Sequence, residues 1–271
     1  MKQPVFGSAS FDSLQYHIFC DELFFSFRLQ RTPSVEHSSV WIYDDGVHEL
    51  VNSNERLIQS NADYLDVTHP MISMCVPDGT GSITVRNPTG HSVIDVSFMP
   101  KTEIVWDFPT GDHNKADQPV IHQPDIGCKV SYKGVTYDGI GYSKRAYMEP
   151  PRYMGYVFIH GVSEKADRIL WTADAGWGDS KYDYFKLLHG DGRLEESAST
   201  DSYHQWNTAY SYIGGRKIAV HIDEIGGWKT SLVSGRMDSL YGQRYCNLRV
   251  EDDGTVFTGK ALKEYWTGTV G

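Results

Sequence analysis

The 271-residue chain has no apolar run approaching the ~20 residues that a membrane-spanning helix requires, so no transmembrane segment is expected. It also lacks basic clusters. No cationic run is longer than a pair such as Lys144-Arg145, in a chain of net charge -10. Phosphate backbones and anionic membrane surfaces both need clustered Lys and Arg, so neither is expected as a partner. Cysteine is scarce. Cys20, Cys75, Cys128 and Cys246 are far apart and form no CxxC pair, which suits reduced, mostly buried thiols in a cytoplasmic protein. The first residues, MKQPVFGSASFDSLQYHIF, have no continuous apolar core, so no secretory signal is expected.

Several chemical signatures are missing too. HExxH, paired CxxC, the GxSxG elbow, the P-loop and the dinucleotide fingerprint do not occur, so the sequence implies neither a metal nor a cofactor. Gly139-x-Gly141 lies in a strand-like arm without a following helix and is not a nucleotide site. Helical periodicity is nearly absent.

What is present is aromatic and alternating. Hydrophobic residues make up 40% of the chain and aromatics 13%, with 17 Tyr, 11 Phe and 7 Trp, beside 26 Gly. That profile fits an aromatic-rich β-protein with ample material for a core. Lys133-Gly134 separates two runs rich in Val, Thr and Tyr, a hairpin signal. Turn signals recur at Asp44-Asp45-Gly46, Gly190-Asp191-Gly192, Gly214-Gly215 and Asp252-Asp253-Gly254. Strands are expected over 17–29, 39–44, 92–108, 127–133, 135–148, 154–162, 216–223 and 255–266, among others. Residues 109–126 carry three Pro and few aliphatics, and read as a linker. The expected division is therefore an N-terminal β unit over 1–110, a crossover over 111–126, and a C-terminal β unit over 127–271.

Chemistry-bearing residues concentrate after that linker. On a strand, alternation puts Arg145, Tyr147 and Glu149 on one face, with Tyr142, Lys144, Ala146 and Met148 near the other. An inward Glu beside an Arg is a usable proton donor, because a buried carboxyl must be paired or neutralised. A surface ion pair ahead of Pro150-Pro151 explains the same residues. His160 shares a face with Tyr156 and Phe158, as a relay or as a hydrogen-bonded core residue. Asp174, beyond Trp171, is a substrate contact or a turn cap. Glu264 shares a side with Leu262 and Trp266 and is a second inward carboxylate candidate. Ile218, Val220 and Ile222 face the core. Trp106-Asp107-Phe108, His113 and His122 are weaker candidates.

The second half resembles a known family. It carries GIGYSKRAYMEPPRYMGYVFIHGV, then ILWTADAG, the hairpin LLHGDGRL, and the terminal strand GKALKEYWTG. These patterns resemble the double-lipocalin-like proteins, the calycin-type group of carotenoid 1,2-hydratase, AttH-like proteins, tocopherol cyclase and fungal lipocalin-type pericyclases. The resemblance covers about residues 125–268; residues 17–108 match in rhythm. It implies an all-β fold of two lipocalin-like antiparallel β-barrel or sheet units packed together, with an aromatic-lined cavity for an apolar molecule. Glu149 matches the family's acidic position and Tyr153 its aromatic one, while the family's His is missing here.

Together these expectations describe a cofactor-independent acid–base enzyme, a hydratase, dehydratase, cyclase or isomerase, acting on an apolar terpenoid or aromatic small molecule. Glu149 is its expected proton donor, with Arg145 or Tyr147 tuning it and His160 as relay. Tyr153, Tyr156, Phe158, Trp171, Asp174, Glu264 and Trp106 are the expected substrate contacts. A lipid or pigment carrier without turnover is an alternative that needs no inward carboxylate. A carbohydrate-active β-sandwich, with two carboxylates across an open groove, is another.

Overall fold

A computed structural model describes residues 11–32, 36–61, 65–76, 81–100, 106–107, 120–148, 152–164, 168–177, 180–197, 202–205, 207–234 and 237–270. For some strand residues, 106–107, 147–148, 152–156 and 168–177 among them, the description covers the backbone only. Every regular element among the described residues is a strand, and every pairing is antiparallel. No helix there is long and apolar enough to cross a membrane.

The chain divides into two compact units, with the break between Pro150 and Pro151. The first contains β1 (Phe11–Cys20), β2 (Leu23–Arg31), β3 (Glu36–Tyr43), β4 (Val47–Ser53), β5 (Ile58–Asn61), β6 (Leu65–His69), β7 (Ile72–Val76), β8 (Gly81–Arg86), β9 (Ser92–Pro100), β10 (Trp106–Asp107), β11 (Val120–Tyr132) and β12 (Val135–Met148). Its sheet runs β4-β3-β2-β1-β12-β11-β9-β8-β7-β6-β5, with β10 paired to β11. The second contains β13 (Arg152–Ser163), β14 (Arg168–Trp177), β15 (Ser180–Leu188), β16 (Leu194–Ser197), β17 (Ser202–Gln205), β18 (Thr208–Ile213), β19 (Arg216–Ser234), β20 (Met237–Asp252) and β21 (Thr255–Val270). Its order is β16-β15-β14-β13-β21-β20-β19-β18-β17.

The expected boundary at 111–126 is therefore displaced. Strand β11 begins inside that segment, at Val120, and pairs with β9, while β12 pairs with β1, so both belong to the first sheet. The proline-rich stretch 109–126 therefore falls inside the first unit, and its last residues are strand. The adjacent prolines 150 and 151, which offer no N–H to a ladder, mark the real division.

Each sheet curls around one apolar cluster. In the first unit, alternate residues Leu14, Tyr16 and Ile18 of β1, Phe25, Phe27 and Leu29 of β2, and Val40 and Ile42 of β3 join Val67 of β6 and Met74 of β7 in a single core. A core shared by strands so far apart along the sheet requires strong curvature. The connection after β4 is tied to its neighbours: Arg31 of β2 donates to the carbonyl of Leu57, and the Leu57 amide donates to Glu36 of β3. In the second unit Ile159, Phe185, Ile218, Val220, Leu248 and Ala261 form the corresponding core, with Ile218, Val220 and Ile222 inward as expected. There Ser197 of β16 hydrogen-bonds Ser211 of β18, and Glu195 pairs with Arg216, although β16 and β18 lie at opposite ends of the sheet.

The hairpin at Lys133-Gly134 forms as expected, with both residues at positive φ (50° and 77°) and Tyr132 opposite Val135. The expected strand over 17–29 is instead two strands joined at Asp21-Glu22, with Asp21 at φ 44°. Three of the four cysteines are buried and Cys75 is half-buried; all are free thiols.

One ion pair closes the apolar side of the first unit. Arg145 donates from Nε and Nη2 to the two carboxylate oxygens of Asp12, at 3.1 and 2.8 Å, with both side chains buried. Removing one member of a buried pair leaves an uncompensated charge, at a cost of about 3–5 kcal/mol. Asp12→Ala should lower unfolding stability by that amount in urea titrations; a loss below about 1 kcal/mol, typical of a surface pair, would contradict this placement.

Candidate functional site

The alternation that builds each core also builds an opposite face, and in both units this face is buried and polar. In the first unit its side chains line up across five strands. Through the register, His122 of β11 stands opposite Lys144 of β12, Lys144 opposite Gln15 of β1, Gln15 opposite Arg28 of β2, and Arg28 opposite Ser39 of β3. A parallel row holds Ser13, Gln30 and His37. None of these side chains is more than 3% exposed.

An aromatic row flanks the polar ones. The His122 and Tyr142 rings stack at 6.4 Å, Tyr142 and His17 lie 4.9 Å apart, His17 and Phe24 6.2 Å, and Phe24 and Trp41 5.0 Å. His17 is held by Gln15 at 3.1 Å and by Ser26 at 3.1 Å. Arg28 donates to the Gln30 side-chain oxygen.

Burial and mutual repulsion set the charge states here. Burial, with Arg28 adding to it, holds the Lys144 ammonium well below its ordinary range. Burial, then Lys144 and Arg28, does the same to His17. Burial and Arg28 push His37 down to about 4, although its Nδ1 is 2.9 Å from the Asn54 side-chain oxygen. Among the described residues the one buried acid of this unit is Asp12, on the opposite face with Arg145. Three buried atoms on the face have no hydrogen-bond partner: Gln30 Nε2, His37 Nε2 and Ser39 Oγ.

The second unit repeats the design with a carboxylate. Glu264 of β21 is fully buried, opposite Gln243 of β20 on one side and Phe158 of β13 on the other. Gln243 Nε2 donates to the Tyr241 hydroxyl at 2.6 Å and lies 3.5 Å from Glu264 Oε2. Tyr241 packs against Trp228 at 5.6 Å and Trp266 at 5.2 Å, and Phe158 packs against His160 at 5.8 Å. Trp228 Nε1 and Ser239 Oγ are buried without a hydrogen-bond partner.

The sequence candidates separate accordingly. Phe158, His160 and Glu264 come together on one buried face of the second unit. Glu264 is inward, as expected, but on the face away from the aliphatic core. Arg145 belongs to the other sheet and is engaged by Asp12, so the expected grouping of Arg145 with His160 on neighbouring strands does not occur. Tyr147, Tyr153, Tyr156, Trp171, Asp174 and Trp106 lie in strands whose side chains there are outside the description, and Glu149 and His113 lie outside the described residues. Sequence reasoning missed the face built by His17, Arg28, His37 and Lys144. Its signal was the alternation of Ser13, Gln15 and His17 with Leu14, Tyr16 and Ile18, which reads as an ordinary half-solvated strand.

No protein-family model matches the sequence, and no curated protein matches it. Solved structures do match over nearly the whole chain. An AttH-like protein of Nitrosomonas europaea is 12% identical, with 94% of this chain and 91% of that chain covered and a TM-score of 0.61. CghA, also solved with Sch210972, is 9% identical, with 96% and 88% covered and a TM-score of 0.63. Kievitone hydratase of Nectria haematococca is 8% identical, with 98% and 94% covered and a TM-score of 0.61. The fold is thus that of the AttH-like proteins, all-β with two strongly curled antiparallel sheets. One neighbour with this fold is a hydratase.

His37 gives this site a pH signature. Unfolded, its imidazole takes up a proton near 6.5; folded, only near 4. Its contribution is complete above about pH 6.5 and is lost as pH falls toward 4, by about 3 kcal/mol. Urea unfolding of the wild type should weaken over that interval, and His37→Gln should remove about one proton's worth of the slope. Identical slopes in the two proteins would contradict a buried, neutral His37.

Proposed function

We propose that the protein is a cofactor-independent acid–base enzyme, a hydratase, dehydratase, cyclase or isomerase, acting on an apolar, unsaturated small molecule. The observation that carries this is Glu264: a carboxyl removed from water, set among Trp266, Tyr241, Trp228 and Phe158 and bridged through Gln243 to a tyrosine hydroxyl. A carrier for apolar ligands gains nothing from a buried carboxylate, which costs desolvation energy. An enzyme that moves protons to or from carbon needs one in a dry, aromatic setting.

In this reading Glu264 transfers the proton, and Gln243 and Tyr241 orient its carboxyl. The faces of Trp266 and Trp228 attract positive charge developing on the substrate carbon. His160 stands on the same face as a second proton-handling group. Sequence reasoning gave the acid role to Glu149; Glu264 is the acid whose surroundings support it. The hydratase among the structural neighbours favours addition or loss of water as the reaction class.

The test is turnover of a panel of prenylated aromatics and polyenes in ¹⁸O-water. Hydration adds the mass of one labelled water, whereas cyclisation and isomerisation leave mass unchanged. On any substrate turned over by the wild type, Glu264→Gln should be at least about 100-fold slower, the usual scale of a lost general acid or base, with an unchanged circular dichroism spectrum. Wild-type rates in a folded Glu264→Gln protein would remove Glu264 from the mechanism.

A further inference from the structure

The proposed Glu264 chemistry leaves unused a pair of thiols in the first unit. Cys20 and Cys128 are far apart in sequence, but the fold sets them on either side of one glycine. Strand β12 lies between β1 and β11 in the sheet. Cys128 of β11 stands opposite Gly139 of β12. The pairing of β1 with β12 runs to Phe19 opposite Ile140, which brings Cys20, the next residue, alongside the same Gly139. Both cysteines point to the core side of the sheet. A Cβ at Gly139 would lie 2.6 Å from Cys20 Sγ and 3.0 Å from Cys128 Sγ, so any other residue there would collide with both sulfurs. The sulfurs converge over the glycine, and they are no further apart than those two distances laid end to end.

This arrangement does not suit a disulfide. Neighbouring strands are about 4.8 Å apart, so β1 and β11, with β12 between them, stand about twice that distance from each other. A disulfide requires Cα atoms within about 7 Å. The two sulfurs can therefore be joined only through an inserted atom. Metal–thiolate bonds are about 2.3 Å long, so a linear S–metal–S unit spans about 4.6 Å, inside the limit set at Gly139. An ion held in this way sits on the line between its two ligands and needs no cavity. Among the described residues no third His, Cys, Asp or Glu joins the pair to make a larger ligand group. Two soft thiolates suit copper(I), whereas zinc favours four ligands. Cys128 keeps 8% of its surface exposed and the Asp21-Glu22 turn beside Cys20 is exposed, so the pair lies near the surface of the unit.

We propose that Cys20 and Cys128 form a two-coordinate site for a soft monovalent cation, copper(I), held linearly between the two sulfurs over Gly139. On binding, each thiol gives its proton to water and each sulfur forms one bond to the ion, with no change in oxidation state. The site is independent of the role given to Glu264, which lies in the other unit. Gly139 is a positioning residue, because only the absence of a side chain lets the two sulfurs approach one another there.

The experiment is titration of the intact, reduced protein with copper(I) in the absence of oxygen, with bicinchoninate as the competing chelator. X-ray absorption of the loaded wild type should show copper bound by two sulfurs and no further ligand, and an equal concentration of zinc(II) should not displace it. Cys20→Ser and Cys128→Ser should each weaken copper(I) at least about 100-fold, beyond the cost of losing an outer-shell contact. Cys75→Ser, which removes the half-buried thiol of the same unit, should leave binding unchanged. The coordination measured on the wild type needs no variant and stands if a serine variant fails to fold. Failure of the wild type to compete with bicinchoninate for copper(I), a coordination other than two sulfurs, displacement by zinc(II), unchanged affinity in a folded Cys20→Ser or Cys128→Ser protein, or loss of binding in Cys75→Ser would each overturn the proposal.

Discussion

Strand alternation is the constraint on which this structure depends. A strand sends successive side chains to opposite faces, so a sheet that curls around an apolar core must present an equal number of residues on its other side. In an ordinary antiparallel sheet that side meets water. Here it is buried in both units, from Gln15 and Arg28 in the first to Gln243 and Glu264 in the second. The core face carries the fold. The second face is free to carry chemistry, provided that its polar groups find partners.

Magnitudes separate the two roles. The Arg145–Asp12 pair satisfies itself with two hydrogen bonds and belongs to the architecture. Gln30, His37, Ser39, Trp228 and Ser239 leave buried atoms unmet. At about 1–3 kcal/mol each, such groups weigh heavily against a total domain stability of about 5–15 kcal/mol. The two faces also differ in sign. The first gathers Arg28 and Lys144, the second Glu264.

Much of the fold was legible in the sequence because it is local. Lys133-Gly134 and Asp253-Gly254 take the left-handed conformations that tight hairpins need, and Ile218, Val220 and Ile222 announce their inward face. The non-local parts were not legible. Pairing of β1 with β12 joins residues more than a hundred positions apart, and it moved the unit boundary from the proline-rich 111–126 to Pro150-Pro151. The Asp21-Glu22 turn carries no glycine, and the apolar residues on both sides of it read as one strand. The site divided in the same way. Glu264 was visible as a carboxylate beside Leu262 and Trp266. Ser13, Gln15 and His17 alternate with Leu14, Tyr16 and Ile18 as on any half-solvated strand, because alternation shows which residues share a face but not whether water reaches it.

The central claim is that the buried face around Glu264 is a reaction site rather than a structural filler. A crystal structure of the protein grown with a brominated prenylated aromatic tests it most directly, through the anomalous signal of bromine. The account predicts a ligand packed against Tyr241 and Trp266, with its unsaturated carbons facing the Glu264 carboxyl. A ligand confined to the exposed surface at saturating concentration would contradict it.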